Sequence, residues 1–105
     1  MKKISLGIII GNREFFPDHL VSEARNDIMN LFNKLKINPI ILSNEDTKLG
    51  GVETFKDAEK CAHLFRSAND IIDGVVVILP NFGDEKGVAD ALRLSGLKLP
   101  VFIQA

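Results

Sequence analysis

The sequence has one cysteine, no tryptophan, no tyrosine and no excess of charge of either sign. Cys61 has no second cysteine to pair with, which excludes an internal disulfide and favours a reducing compartment such as the cytoplasm. Thirteen basic residues against fourteen acidic ones leave a net charge of −1. Because nucleic acids and anionic membranes select a strongly basic surface, we expect neither as a partner.

Long apolar segments are also missing. The run near the start, Ile4–Ile10, ends at the polar residues Asn12-Arg13-Glu14. A secretory signal needs roughly 7–15 apolar residues followed by a small-residue cleavage site, and a membrane-spanning helix needs about 20. We therefore interpret this run as a buried strand.

The rest of the sequence alternates between two kinds of pattern. Continuous apolar runs rich in β-branched residues indicate strands covered on both faces, as in a parallel sheet. The predicted strands are Ile4–Ile10, Pro39–Leu42, Gly74–Leu79 and Pro100–Gln104.

Between these strands, apolar residues recur at spacings of three and four, which predicts amphipathic helices. The first begins at Asp18 and has the apolar stripe Leu20, Ala24, Ile28, Leu31 and Leu35. The second follows a capping box formed by Thr54 and Asp57, with the stripe Phe55, Ala58, Ala62 and Phe65. The third runs from about Glu85 to Ser95 and stops at Gly96.

The element order β-α-β-α-β-α-β predicts one α/β domain over residues 1–105. We expect a three-layer, doubly wound parallel sheet of the flavodoxin-like kind with strand order 2-1-3-4. The fourth strand would lie at an unprotected edge of this sheet. Two explanations stay open: the domain is truncated from a longer protein, or another chain covers that edge.

Ligands of open parallel sheets bind beyond the carboxyl ends of the strands, where the strand order reverses. Two loops meet there in the predicted topology, and each carries an Asn, a Phe and acids; they are residues 11–19 and 80–85. Amide groups, an apolar platform and charge suit a polyhydroxylated ligand such as a sugar. The alternative is that Asn and Asp shape turns and cap helices, while the phenylalanines only close the end of the sheet.

Arg13 is the leading candidate for a ligand contact, because a guanidinium offers five fixed donors in a planar fork. Its alternative role is a surface ion pair with Glu14 or Asp18. His19 is a candidate acid–base group, or a residue that caps or packs the first helical turn. Cys61 is most simply a packing residue.

Several kinds of site have no motif in this sequence. There is no G-x-G-x-x-G after the first strand and no G-x-x-x-x-G-K-[ST], so a phosphate-binding loop for nucleotides is missing. No G-x-S-x-G nucleophile elbow is present. The acids Glu45, Asp46 and Glu53 do not have the spacing of a known metal site.

Three loop segments together resemble the N-terminal domain of L-fucose/L-arabinose isomerase-like proteins. They occur in the matching order and span nearly the whole chain: 11–19 (GNREFFPDH), 45–54 (EDTKLGGVET) and 79–85 (LPNFGDE). The resemblance implies a multidomain aldose–ketose isomerase that shifts hydrogen between C1 and C2 of a sugar. It also implies a divalent metal, commonly manganese, whose ligands lie in later domains, and a homo-oligomeric assembly.

The resemblance assigns no catalytic residue and no metal ligand to this chain. The resemblance makes Arg13 the candidate counterpart of an arginine that contacts substrate in some fucose isomerases. Combined with the loop positions, this gives the expected sugar-binding residues Arg13, Asn12, Asn81, Phe82 and His19.

Two functional hypotheses follow. In the first, the chain is the N-terminal domain of a sugar isomerase; it supplies substrate-proximal loops and subunit contacts and does not catalyse alone. In the second, it is a non-enzymatic sugar-binding or regulatory module with the same fold.

Overall fold

A computed structural model describes residues 3–11, 18–43, 45–79 and 85–104. Strands and helices alternate along the described chain, with one short 3-10 turn after the second strand. They are β1 (Ser5–Ile10), α1 (Asp18–Leu35), β2 (Asn38–Ile40), the 3-10 turn (Lys48–Gly50), α2 (Phe55–Ser67), β3 (Gly74–Ile78), α3 (Glu85–Ser95) and β4 (Val101–Gln104).

The four strands form one sheet in the order β2-β1-β3-β4. Every pairing is parallel, and β1 lies at the centre with Gly7 opposite both Ile40 of β2 and Val75 of β3. The α/β class, the doubly wound architecture and the strand order 2-1-3-4 predicted from the sequence are confirmed.

The sheet is covered on both faces, which gives two cores. The core on the face of α1 contains Ile8, Ile10, Val21, Ile28, Phe32 and Ile78. The core on the face of α2 and α3 contains Ile9, Ile40, Leu42, Val52, Ala58, Cys61, Phe65, Ile72, Val75, Val77, Val88 and Ala91. Successive residues of a strand point to opposite faces, so a strand covered on both sides is apolar throughout.

Phe65 packs directly over the backbone of the central strand. A Cβ placed on Gly7 would lie 2.8 Å from both Phe65 Cζ and Ile72 Cδ1. Glycine at this position of β1 therefore leaves the space that the aromatic ring fills.

The predicted extent of β2 was wrong at its carboxyl end. Pairing with β1 stops at Ile40 instead of continuing to Leu42. Further along the same side of β1, Val52 donates its N–H to the Ile10 carbonyl oxygen over 2.8 Å and forms a parallel bridge with Gly11.

The predicted apolar stripes were wrong at three positions. Leu31 and Leu35 of α1 are 47% and 59% exposed, and Phe55 of α2 is 53% exposed. On α1 the inward position near the end of the helix belongs to Phe32, which is 3% exposed. Leu35 and Phe55 are the last and first residues of their helices, and periodicity assigns a residue to a face without showing how far the sheet covers each end.

The capping box at the start of α2 is present as predicted. Thr54 Oγ1 accepts a hydrogen bond from the Asp57 N–H over 3.2 Å. The Asp57 carboxylate accepts from the N–H groups of Thr54 over 3.2 Å and Glu53 over 3.0 Å. These bonds satisfy backbone donors that a helix start leaves without intrahelical partners.

Replacing Thr54 by alanine is expected to lower the free energy of unfolding by about 1 kcal/mol, because the Asp57 N–H loses its acceptor. Urea unfolding followed by circular dichroism measures the change. Thr54→Ser keeps a hydroxyl and is the matched control, which we expect to retain most of the stability. Equal stability of the alanine variant and the original chain would show that the cap contributes nothing.

Candidate functional site

Three segments of the chain converge on Gly11 at the carboxyl edge of the sheet. The Gly11 N–H donates to the Ile78 carbonyl oxygen at the end of β3 over 2.9 Å. On the other side of β1, Gly11 forms the bridge with Val52. The loops that follow β1 and β3 therefore start from hydrogen-bonded neighbours, at the position where the strand order reverses.

Four of the five sequence-predicted site residues lie outside the described residues: Asn12, Arg13, Asn81 and Phe82. The structure fixes the strand ends from which their loops leave, and the sugar-binding role of these four residues stays a prediction. The fifth, His19, is the second residue of α1 and is exposed to solvent. Its place at the start of α1 puts it near the carboxyl edge, since α1 follows the loop that leaves β1.

An arginine that sequence reasoning did not select fixes the loop after β2. Arg25 Nη1, on α1, donates to the Leu42 carbonyl oxygen over 2.7 Å. The guanidinium passes over Gly50, where a Cβ would lie 2.6 Å from that same oxygen and would also overlap Arg25 Nη1. Gly50 has φ +69°, a left-handed conformation that favours glycine. In the sequence, the feature that indicated an unusual backbone conformation in this loop was the pair Gly50-Gly51.

The same loop contains a buried hydroxyl. Thr47 is 7% exposed, and its Oγ1 has no hydrogen-bond partner within the described part of the chain. Thr47 precedes the 3-10 turn but does not cap it with its side chain. Burial of a polar atom without a partner is unfavourable, so this loop is held by its other contacts, notably the Arg25 bond.

Asp46, one of the acids of this loop, makes local structural contacts. The Asp46 carboxylate accepts from Ser43 N over 2.9 Å and Ser43 Oγ over 3.0 Å, and these hydrogen bonds lower the pKa of Asp46. Lys60 Nζ donates to the Asp46 main-chain oxygen over 2.6 Å. Nowhere in the described ranges do three or more His, Cys, Asp or Glu side chains come together as a metal site would require.

Cys61 is fully buried in the core beneath α2, as its predicted packing role requires. Burial raises the pKa of its thiol to about 12. The thiolate is the reactive form of cysteine, so burial and the raised pKa both lower the reactivity of this side chain in the folded domain.

We expect Cys61 to resist alkylation by iodoacetamide at pH 8 in the folded chain and to react rapidly in denaturant, because labelling requires exposure of the thiol as well as its ionisation. Mass spectrometry of timed samples measures the rates. The matched control replaces exposed Phe55 of the same helix by cysteine; that thiol should label quickly without denaturant. Rapid single labelling of the native original chain would contradict the burial.

A groove of about 590 Å³ lies between α2 and the loop after β2. Its lining mixes apolar, acidic and basic side chains: Leu42, Asp46, Lys56, Glu59, Lys60, His63, Leu64 and Ser67. His63 is exposed on α2. The groove contains no buried charged residue, and it does not involve the strand ends at Gly11.

Within the described residues, no helix is long and apolar enough to cross a membrane.

The chain matches one protein family, described as the N-terminal domain of fucose/sulfoquinovose isomerase, over residues 7–105. No curated protein matches it, and no solved structure does. The family match covers β1 from Gly7 onward, the three other strands, all three described helices and both loops of the candidate site. The chain therefore belongs to the family of fucose/sulfoquinovose isomerase N-terminal domains.

Proposed function

We propose that this chain is the N-terminal domain of a metal-dependent aldose–ketose sugar isomerase, to which it contributes substrate-proximal loops and subunit contacts. The family match over residues 7–105 is the observation that carries this proposal. The convergence of chain segments on Gly11 supports it, because that edge is where parallel α/β sheets bind small ligands.

The proposed sugar contacts are Arg13, Asn12 and Asn81, with Phe82 as an apolar platform and His19 at the rim. The guanidinium of Arg13 presents several fixed donors to hydroxyl oxygens. Asparagine amides both donate and accept hydrogen bonds, which suits the donor–acceptor character of sugar hydroxyls. In this proposal the residues bind and orient the sugar and transfer no proton or hydride.

The divalent metal of the reaction, Mn²⁺ or a similar ion, would not be held by this chain. The described residues provide no grouping of three metal ligands, and the Asp46 carboxylate is engaged by Ser43. The resemblance to the isomerase family implies metal ligands in later domains of the parent protein, and we assign them there in this proposal. A cytoplasmic homo-oligomer is the assembly we propose.

An aldose–ketose assay of the 105-residue chain tests whether this domain can catalyse without the later domains. With Mn²⁺ and L-fucose, L-arabinose or sulfoquinovose as substrate, we expect no ketose formation by the chain alone. Metal-dependent turnover that follows the purified chain through chromatography would contradict the proposal, because it would place the catalytic groups within these residues.

Sugar titration of the same chain distinguishes a domain of an isomerase from an independent sugar-binding module. A domain that supplies only part of the pocket should bind weakly or not at all. Saturable binding in isothermal titration calorimetry, lost in Arg13→Ala and in Asn81→Ala but kept in Arg66→Ala, would favour the independent module. Arg66 is exposed on α2, which makes it a suitable charge control.

A further inference from the structure

Arg25 lies on the inward stripe of α1, among residues of the core. It follows Val21 by four positions and precedes Ile28 by three, and both of these neighbours are buried on the face of α1. Residues at such spacings share one face of a helix. Arg25 itself is partly buried. An apolar side chain at this position would add to the core, so the arginine is explained by what its guanidinium contacts.

The guanidinium contacts both ends of the loop after β2. Its Nη1 donates to the carbonyl oxygen of Leu42, where the loop begins, over 2.7 Å. It also packs against Gly50 at the end of the 3-10 turn, where a Cβ would overlap Nη1 and lie 2.6 Å from the Leu42 oxygen. The two ends of the loop therefore meet at the Arg25 guanidinium, which closes the loop.

From Gly50 this constraint reaches the carboxyl end of β1 within two residues. Val52 is 1% exposed, its N–H donates to the Ile10 carbonyl oxygen over 2.8 Å, and it forms the bridge with Gly11. The loop that carries Arg13 leaves the sheet directly after Gly11. A displacement of Gly50 would therefore disturb Val52, the residue that holds one side of Gly11.

The other contacts of the loop after β2 do not provide this constraint. The buried Thr47 hydroxyl has no hydrogen-bond partner among the described residues. Lys60 Nζ, on α2, donates to the Asp46 main-chain oxygen over 2.6 Å, but this bond is exposed to solvent and lies six residues before Val52. Lys60 therefore offers a comparison: a second basic side chain on a carbonyl of the same loop, further from β1.

We propose that Arg25 is a positioning residue for the sugar site: it closes the loop after β2, holds Val52 against β1 and so fixes the direction in which the chain leaves Gly11. It acts through the backbone and not on the sugar itself. Binding groups that are misplaced by about 1 Å lose much of their effect. The inference rests on the proposed function, because that function assigns the sugar contacts to the loop after β1.

Arg25→Met and Arg25→Lys separate positioning from stability. Methionine keeps an apolar side chain on the inward stripe but lacks the donor, so its urea unfolding midpoint should stay close to that of the original chain. Hydrogen exchange of the Val52 amide, followed by two-dimensional NMR, should become about tenfold faster or more in Arg25→Met. Lysine keeps a charged donor on a long side chain, and Arg25→Lys should restore most of the protection.

The Val75 amide is the internal reference for this experiment. It donates to the Pro100 carbonyl oxygen at the amino edge of the sheet over 2.9 Å, far from the loop after β2, and its exchange should be the same in all three chains. Unchanged exchange at Val52 in Arg25→Met would overturn the proposal. Equal acceleration at Val52 and Val75 would also overturn it, because the effect would then be a general loss of stability.

Steady-state kinetics of the complete isomerase test the connection with the sugar. With L-fucose, or whichever of L-arabinose and sulfoquinovose the enzyme turns over, Arg25→Met should raise KM about threefold to tenfold with little change in kcat. Arg25→Lys should recover most of this loss. Lys60→Ala removes the other side-chain contact with the backbone of the loop and should leave KM unchanged; an equal rise in KM would contradict the specific role of Arg25.

Arg13→Ala in the same enzyme distinguishes a failure of this inference from a failure of the proposed function. If Arg13→Ala raises KM and Arg25→Met does not, the sugar contact stands and the positioning role of Arg25 is wrong. If neither variant raises KM, the proposed sugar contact is wrong, and the exchange of Val52 alone decides whether Arg25 holds the chain at Gly11.

Discussion

Replacing Phe65 by alanine is expected to lower the free energy of unfolding by about 3–5 kcal/mol, the range for removing a buried aromatic side chain from a core. Phe65 is fully buried, and its ring fills the space over Gly7 that a Cβ would otherwise occupy. A domain of this size is stabilised by roughly 5–15 kcal/mol in total, so the variant should remain folded only marginally. Urea unfolding at 25 °C measures the loss.

Phe55 on the same helix provides the matched control for this prediction. It is 53% exposed, so Phe55→Ala should change the free energy of unfolding by no more than about 0.5 kcal/mol. Removing a phenylalanine ring from α2 should therefore lower the free energy of unfolding strongly at Phe65 and hardly at all at Phe55. Similar losses for the two variants would mean that α2 does not pack on the sheet through the face containing Phe65.

Gly50→Ala is expected to cost about 3 kcal/mol or more. The alanine residue would have to adopt a left-handed backbone conformation, which costs roughly 1–2 kcal/mol for a residue with a Cβ. Its methyl group would then lie where glycine leaves free space. It would also meet the Leu42 carbonyl oxygen at 2.6 Å and the Arg25 guanidinium, and such overpacking typically adds about 1–3 kcal/mol. Thermal and urea unfolding measure the combined effect.

Gly96 separates the cost of the left-handed backbone conformation from the cost of steric overlap. It has φ +67°, and nothing lies within 4 Å of a Cβ placed there. Gly96→Ala should therefore cost only the backbone part, about 1 kcal/mol. Combining Gly50→Ala with Arg25→Ala should recover part of the loss, since one of the two contacts is then removed. Equal costs for Gly50→Ala and Gly96→Ala would mean that the Arg25 contact does not constrain the loop.

Most of the fold could be predicted from local patterns. Four β-branched runs gave the strands, and α3 has the bounds Glu85–Ser95 that its pattern predicted. The parallel order followed from chirality and from runs that are apolar on both faces. These features depend on residues close together in sequence, which is why they can be read without tertiary information.

The errors arose where a local pattern does not show how far an element is paired or covered. β2 ends at Ile40, and the next residue bridged to this side of β1 is Val52, which pairs with Gly11. Leu31 and Leu35 follow the helical period of α1, but Phe32 takes the inward position near the helix end. A hydrophobic period locates a face and does not show which turns of that face the sheet covers.

The strand order predicted that the carboxyl ends of β1 and β3 lie side by side, and Gly11 is hydrogen-bonded to Ile78 as that topology requires. The sugar-binding role of the residues that follow these strand ends stays a prediction. The role of Arg25 could not be read from the sequence, because an arginine within an amphipathic helix looks like any solvent-facing charge. Only the fold shows that Arg25 reaches the Leu42 carbonyl oxygen across Gly50.

The proposal that the loop after β1 contacts the sugar is tested most directly by steady-state kinetics of Arg13→Ala in the complete isomerase that carries this domain. If the loop after β1 contacts the sugar, loss of a hydrogen bond from a charged donor should raise KM for the aldose about tenfold or more. Arg66→Ala, a change of the same kind on the exposed face of α2, should leave KM unchanged. An unaltered KM and kcat in Arg13→Ala would contradict a substrate-binding role for this edge of the domain.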